Sequence, residues 1–242
     1  MPKSIKDWYN NLGIEGGMQI AGIVMVVPAI LLLLMLLVAP FGYIIFSSFI
    51  EKGSQGFSFG NYAWLSSPLF LPSFRNSLII GVGSVLLEII IAVPLAILLN
   101  QKMYLRGLWR ALITLPWAVP TIAVAGAFLW LANPHYGIFN QVGLEIGLLK
   151  EPLGFFGDPD LALLSVIVAH AWKGLPLVFI IVFASLQSLP EEQIEASKID
   201  GAGKLRQLQY VILPHLKTSI ALAAVLSGAY NFSLFDLTFL LN

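Results

Sequence analysis

The chain reads as an all-α, polytopic membrane helical bundle. Three features predict it: long unbroken apolar runs, scarce charge, and no apolar–polar alternation within the runs. Of 242 residues, 58% are hydrophobic and only 11% charged, against about 25% charged in an ordinary soluble domain. So little polar surface cannot cover a water-facing globule, and the excess apolar surface needs lipid. The runs fall at about 20–46, 78–99, 111–132, 161–186 and 219–241. A spanning helix needs roughly 20 apolar residues to cross about 30 Å of hydrocarbon, so each run is long enough. Neither Val24-Met25-Val26-Val27 nor Leu31-Leu32-Leu33-Leu34 alternates, as strands of a membrane barrel do. The first run is too long for a signal peptide. Phe41, Tyr43 and Phe46 stand where its small-residue cleavage site belongs, so it reads as a retained helix.

Charge orients the spans. Lys+Arg and Asp+Glu both number 13, and no basic patch points to a nucleic-acid partner. Cytoplasmic loops carry the excess of Lys and Arg. With the N-terminus inside, the inside segments hold Lys3, Lys6, Lys102, Arg106, Arg110, Lys198, Lys204, Arg206 and Lys217. The outside loops hold Lys52, Arg75 and Lys150. This bias favours N-inside, with Asn242 then outside. Because Leu240 and Leu241 are still apolar, a truncated C-terminus is expected. The absence of Cys excludes disulfides, Cys-ligated zinc and thiol chemistry.

One membrane domain, 1–242, is expected. Residues 1–17 are expected to form a short cytoplasmic tail or a surface helix, with Trp8 and Tyr9 suited to the headgroup level. Outside loops cover 47–77 and 133–160, a short inside loop 100–110, and the longest inside segment 187–218. Gly53, Gly56, Gly60 and Pro68 mark turns in the first loop; Asn133-Pro134, Pro152 and Asp158-Pro159 do so in the second. Pro28, Pro94, Pro116, Pro120 and Pro176 lie inside spans. Each removes a helical donor. The pair at 116 and 120 predicts a bent helix beside a cavity.

The 187–218 segment predicts two short helices around a glycine corner. Ser188 and Glu191 have capping-box spacing, with Pro190 in the first turn. The helix should run to about Asp200, and Gly201 permits a sharp reversal. Leu205, Leu208 and Val211-Ile212 then recur at helical spacing until Pro214, which should stop the second helix before the fifth span. Small residues at the corner allow close approach by a partner; a plain loop helix on the membrane is the alternative reading.

Glu195-Ala196-Ser197-x-x-Asp200-Gly201-Ala202, followed by Leu213-Pro214, closely resembles the EAA motif of ABC importer permeases. Ser197 replaces the usual Ala, Leu208 the usual Phe, Val211 an Ile and Thr218 a Pro. Further stretches resemble the carbohydrate (maltose/glycerol-phosphate-type) branch. They are Leu115-Pro116-Trp117-Ala118-Val119-Pro120, Trp130, Asn133-Pro134-His135-Tyr136-Gly137 with Asn140, Asp158-Pro159, Trp172-Lys173-Gly174-Leu175-Pro176, Leu186-Gln187-Ser188-Leu189-Pro190, and Asn231-Phe232 with Asp236.

This resemblance implies a binding-protein-dependent importer permease in a prokaryotic inner membrane, with five spans present of an expected six. It implies that Glu195, Ala196, Ser197, Asp200, Gly201 and Ala202 form a cytoplasmic coupling helix docking on an ATPase. The implied partners are a second, non-identical permease subunit, two ATP-binding cassette ATPases and an extracytoplasmic solute-binding protein, all around a lipid-embedded chain. ATP and Mg would sit on partner subunits. This chain has no G-x-x-x-x-G-K-[ST] loop, since Leu205 follows Gly203-Lys204, so no cofactor and no catalytic residues are expected on it. The solute would be a sugar or related compound.

Glu88, Lys173 and Asp236 are ionisable residues within spans and should face protein or water. Glu88 and Lys173 sit at similar depth and are expected to pair or share a hydrated cavity, unless each finds water or a carbonyl separately. Trp172, Asn231, Phe232 and Asp236 have the aromatic faces and amide or carboxylate edges that sugars require, so Glu88, Trp172, Lys173, Asn231, Phe232 and Asp236 are candidate path residues. Helix packing is the alternative for each. His170 reads as a packed or hydrogen-bonded histidine, and no metal site is expected. Ala92/Ala96 and Ala224/Gly228 have the spacing of helix-packing faces. A secondary transporter would often show paired inverted halves, and none is visible; a membrane enzyme would show a catalytic motif such as H-E-x-x-H. A non-transporting permease-derived scaffold is the remaining alternative.

Overall fold

The computed structural model describes residues 13–51, 56–101 and 103–241. Lys3, Lys6, Trp8, Tyr9, Lys52, Gly53 and Lys102 lie outside the described residues. Residues 13–17 already belong to the first helix. The chain forms two compact units, Met1–Leu71 and Pro72–Asn242.

In the first unit, α1 (Gly13–Leu33) passes through a π-helical turn (Leu34–Val38) into α2 (Ala39–Ser48), giving an apolar rod over Ala21–Ser48. The rod ends in an aromatic cluster. Phe49 lies 5.6 Å from both Phe59 and Tyr62 by ring centroid. Asn61 Nδ2 donates to the carbonyls of Ser48 and Ile50, at 3.0 Å each, and pins the following 3-10 turn (Gly60–Ser66).

The long helices follow the apolar runs. They are α3 (Phe70–Asn100), α7 (Pro159–Gln187) and α10 (Leu213–Ser233). Between them lie α4 (Arg106–Ala118), α5 (Thr121–Leu131) and α6 (Ile138–Glu145). Short α8 (Glu191–Ile199) and α9 (Lys204–Gln207) precede α10, and α11 (Phe235–Leu241) follows it. Among the described residues, four helical stretches are long and apolar enough to cross a membrane; α4 and α5 make a fifth if counted as one span bent by 103°. The two-proline bend is therefore present, and it is sharp enough to divide the 111–132 run into two helices.

The second unit is built around α7, most of whose apolar stretch is buried. Val178, Phe179, Val182, Phe183 and Leu186 pack with Ala92, Val93, Ala96 and Leu99 of α3 and with Leu216 and Ala223 of α10. Ala92 and Ala96 are wholly buried, so small side chains admit the close approach their spacing predicts. On α10 the buried small face is Ala223 and Ser227, not Ala224 and Gly228: a Cβ on Gly228 would meet nothing within 4 Å. A second cluster joins Val124 and Ala125 of α5, Val166 and Ala169 of α7, and Leu234, Leu237 and Leu241 of α11. The Arg110 guanidinium lies 4.1 Å over the Phe183 ring, tying α4 to α7 by cation–π contact.

Two expectations about the last span need correction. Pro214 does not stop the helix. A π-helical turn (Leu208–Ile212) precedes it, and helix continues over Lys204–Ser233. Proline lacks an N–H and crowds the carbonyl four residues back; a turn wider by one residue reassigns that carbonyl. Pro40 uses the same device after Leu34–Val38. The fifth run instead breaks at Leu234, so 219–241 is not one helix.

The 133–160 loop contains more order than its turn signals predict. Asp158 accepts from the Asp160 N–H (2.9 Å) with Pro159 next, capping the start of α7. Asn140 is buried. Its Nδ2 donates to the carbonyls of Asn133 (3.2 Å) and Leu153 (3.0 Å), and its Oδ1 accepts from the Leu153 N–H (2.7 Å). Replacing it with the near-isosteric Leu is expected to cost about 2–4 kcal/mol, because buried backbone groups lose their partners. A Tm unchanged from wild type in detergent-solubilised Asn140→Leu would refute this.

Candidate functional site

Two places gather the predicted residues. The first is the elbow between α7 and α10. α8 covers Glu191–Ile199, close to the expected extent, but its start differs from the expected capping box. Ser188 still has helical backbone angles (φ −86°, ψ −5°), so its hydroxyl points back and donates to Ser185 O at 2.8 Å. A capping residue needs extended geometry, which falls on Pro190 (φ −62°, ψ 130°), and no side chain caps α8. His215 Nε2, from α10, reaches the same Ser185 carbonyl at 2.9 Å and braces the elbow against the end of α7.

The end of α8 is a glycine-based reversal. Gly201 has φ +78°, its N–H donates to Lys198 O (3.0 Å), and the Ala202 N–H donates to Ser197 O (2.9 Å). This is the Schellman arrangement, which satisfies the last carbonyls through a left-handed residue. Ser197 is buried, its hydroxyl on Ile194 O (2.7 Å). Glu195, Ala196, Asp200 and Gly201 are exposed and Ala202 half-buried. Beside them stand Ile199, 87% exposed, and Leu205 and Tyr210, also well exposed. These apolar groups around the corner were not singled out from sequence as a surface; Leu205 was legible only as part of a helical stripe.

The second place lies within the bundle. Glu88 of α3 has no exposed surface. Asn231 Nδ2 donates to its Oε1 at 2.8 Å and to Ser227 Oγ at 3.1 Å, and the Ser227 hydroxyl donates to Oε2. The carboxylate rests against the backbone of Gly174, where a Cβ would fall 2.1 Å from Oε1. Lys173 does not pair with Glu88. Its Nζ donates to the carbonyls of Pro116 (2.9 Å) and Val119, at the α4–α5 bend. The two residues thus share a depth but not a partner.

Asn231 and Phe232 line an open cavity of about 530 Å³ between α3, α7, α10 and α11, together with Asn76, Ser77, His170 and Thr238. His170 Nε2 is 2.9 Å from Thr238 Oγ1. Asn231 Oδ1 and His170 Nδ1 are buried and complete no hydrogen bond of ordinary geometry, although the two side chains adjoin. The Phe232 ring packs on Gly81. Trp172 stands apart, edge-on to Phe128 at 5.9 Å, and Asp236 is exposed in the first turn of α11. Of the six candidate path residues, then, Glu88, Asn231 and Phe232 come together; Ser227, His170 and Thr238 join them without having been singled out for it.

The model of the "binding-protein-dependent transport system inner membrane component" family matches residues 88–242. The chain belongs to that family. It is a multi-pass membrane protein, and both the elbow and the polar cluster lie within the matched region. The trehalose/maltose transport system permease protein MalF of Thermococcus litoralis is 33% identical over 159 residues, covering 66% of this chain and 53% of that protein. The xylose/arabinose import permease protein XacH of Haloferax volcanii is 30% identical over 177 residues, covering 73% and 55%. The chain thus spans little more than half the length of these two relatives. The fold matches a bacterial ABC transporter involved in the import of the acidic polysaccharide alginate, with a TM-score of 0.75 at 21% identity, over 90% of this chain and 75% of that one. The same kind of transporter has been solved in complex with alginate pentasaccharide-bound periplasmic protein, with a TM-score of 0.72 at 22% identity.

Proposed function

We propose that this permease-family chain forms the translocation path of an ATP-driven, binding-protein-dependent importer for a sugar or related solute. In this reading the N-terminus is cytoplasmic, in a prokaryotic inner membrane. The elbow of Glu195, Ala196, Ser197, Asp200, Gly201 and Ala202 docks on one of two separate ATPases, which hold the ATP and Mg. A second, non-identical permease subunit completes the path, and an extracytoplasmic binding protein delivers the solute. The chain itself catalyses no reaction and binds no cofactor.

The observation that carries this is the elbow: a tightly hydrogen-bonded corner with Ala196, Gly201 and the apolar Ile199 and Leu205 turned outward. Such a surface is costly to leave in water and suits a groove on another protein. The solute class is supported by the relatives, named for trehalose/maltose and for xylose/arabinose. It is supported also by the cavity, whose volume is typical of small-molecule sites. Asn231 and His170 offer polar atoms there, and Phe232 an aromatic face.

Because the chain contains no Cys, a single Lys198→Cys variant reports the side of the elbow. A membrane-impermeant maleimide should label it only in permeabilised cells. Labelling in intact spheroplasts would put the elbow out of reach of any ATPase and end the proposal.

A further inference from the structure

The bend between α4 and α5 sets a hydrogen-bonding problem that the backbone cannot solve. In a continuous helix the Pro116 carbonyl would accept from the N–H of residue 120. Residue 120 is proline and has none. Val119 is extended (φ −84°, ψ 127°), so its carbonyl leaves the helix as well. Both carbonyls lie at the C-terminal, negative end of α4, in an apolar region where an unsatisfied backbone group is not tolerated. Lys173 Nζ, arriving from the middle of α7, donates to both. Lys173 is only 4% exposed, and among the described residues no carboxylate is within ion-pairing distance of it. Beyond the bend, Val124 and Ala125 of α5 pack with Val166, Leu234 and Leu237. Val166 and Leu234 also line the large cavity.

We infer that Lys173 is a positioning residue: its ammonium replaces the N–H that Pro120 lacks and latches α4 and α5 at their 103° turn, which in turn places α5 behind the cavity wall. The latch rests on this chain's own atoms and stands or falls independently of the transported solute.

The test measures the bend itself in the full chain. Nitroxide labels at Gly107→Cys on α4 and Ala127→Cys on α5 would be the only ones present, because there is no native Cys. Both positions are exposed. Roughly twenty residues of straight helix would separate them by about 30 Å, and the turn shortens this to roughly two thirds. Pulsed electron–electron resonance in lipid nanodiscs should give the short distance for the otherwise native chain. Lys173→Arg should keep it, since a guanidinium still donates to both carbonyls. In Lys173→Met the short population should give way, wholly or in part, to longer distances. Adding Pro120→Ala to Lys173→Met should yield one ordered population near the straight-helix value, because an alanine N–H restores the missing donor. A short distance retained in Lys173→Met overturns the latch. If Lys173→Met does not accumulate in the membrane, accumulation of Pro120→Ala/Lys173→Met decides. Recovery supports the latch, and no recovery overturns it.

Discussion

Alanine in place of Gly174 is expected to stop the chain from accumulating as a folded membrane protein. The Cβ would fall 2.1 Å from Glu88 Oε1 and 2.7 Å from Cδ. A long side chain can usually swing aside, and such a clash is then cheap. Glu88 is not in that position. It is fully enclosed, and its two oxygens are held by Ser227 and Asn231. If it moves, the buried carboxylate and the Ser227 hydroxyl lose their partners and the Asn231 amide loses one of two, at about 1–3 kcal/mol for each unsatisfied group and more for the charged one. If α3 and α7 separate instead, the contacts of Ala92 and Ala96 with α7 open into voids. Either route consumes much of the roughly 5–15 kcal/mol by which a domain is stable. Shortening the carboxylate in the same background, Glu88→Ala with Gly174→Ala, should recover part of the accumulation, because the obstruction is gone. Size-exclusion profiles of detergent extracts check both variants. A Gly174→Ala chain as abundant and monodisperse as the native one would show that the contact carries no strain.

Glu88 and Lys173 also show where sequence reading stops. Their similar depth was legible from the spans alone, and Glu88 does rest on the residue next to Lys173. One residue along a helix, however, turns the side chain by about 100°. Gly174 therefore faces α3 while Lys173 faces the α4–α5 bend, so depth without azimuth left pairing open, and Lys173 takes the alternative, backbone carbonyls. The long elements were readable because apolar runs such as 78–99 and 161–186 have no competing explanation; they became Phe70–Asn100 and Pro159–Gln187. The prolines were readable only in part. Pro116 and Pro120 break a span as expected, whereas Pro214 is absorbed by a π-helical turn that no residue type announces. Ser188 failed as a cap for a related reason. Its identity suits the role, but α7 extends far enough to keep its backbone helical. The Glu88–Ser227–Asn231 cluster joins residues 139 and 143 positions apart in the chain. Only Asn231 and Glu88 carried any local signal, so the serine between them was missed.

Gly201→Glu should leave the fold and membrane insertion intact yet lower ATP-driven uptake by about tenfold or more. A side chain at φ +78° is strained, but at a single exposed residue the cost is only about 1–2 kcal/mol. A Cβ there meets nothing within 4 Å, so no part of the chain obstructs it. The two hydrogen bonds that close the corner come from backbone N–H groups and survive the change. What the new carboxylate does alter is the outward surface. It adds bulk and a third negative charge beside Glu195 and Asp200, where a docking partner would have to come close. A loss of about 1.4 kcal/mol in docking corresponds to tenfold in affinity, and one desolvated, unpaired charge is ample for that. Gly201→Asn is the matched control. Asparagine tolerates the left-handed conformation and adds no charge, so it should keep most of the uptake. The measurement is uptake of a radiolabelled sugar by proteoliposomes holding the complete transporter, with ATP hydrolysis followed in parallel. Normal uptake in Gly201→Glu would mean that nothing docks at this corner. Failure of the variant to insert would mean that the corner serves the fold and not a partner.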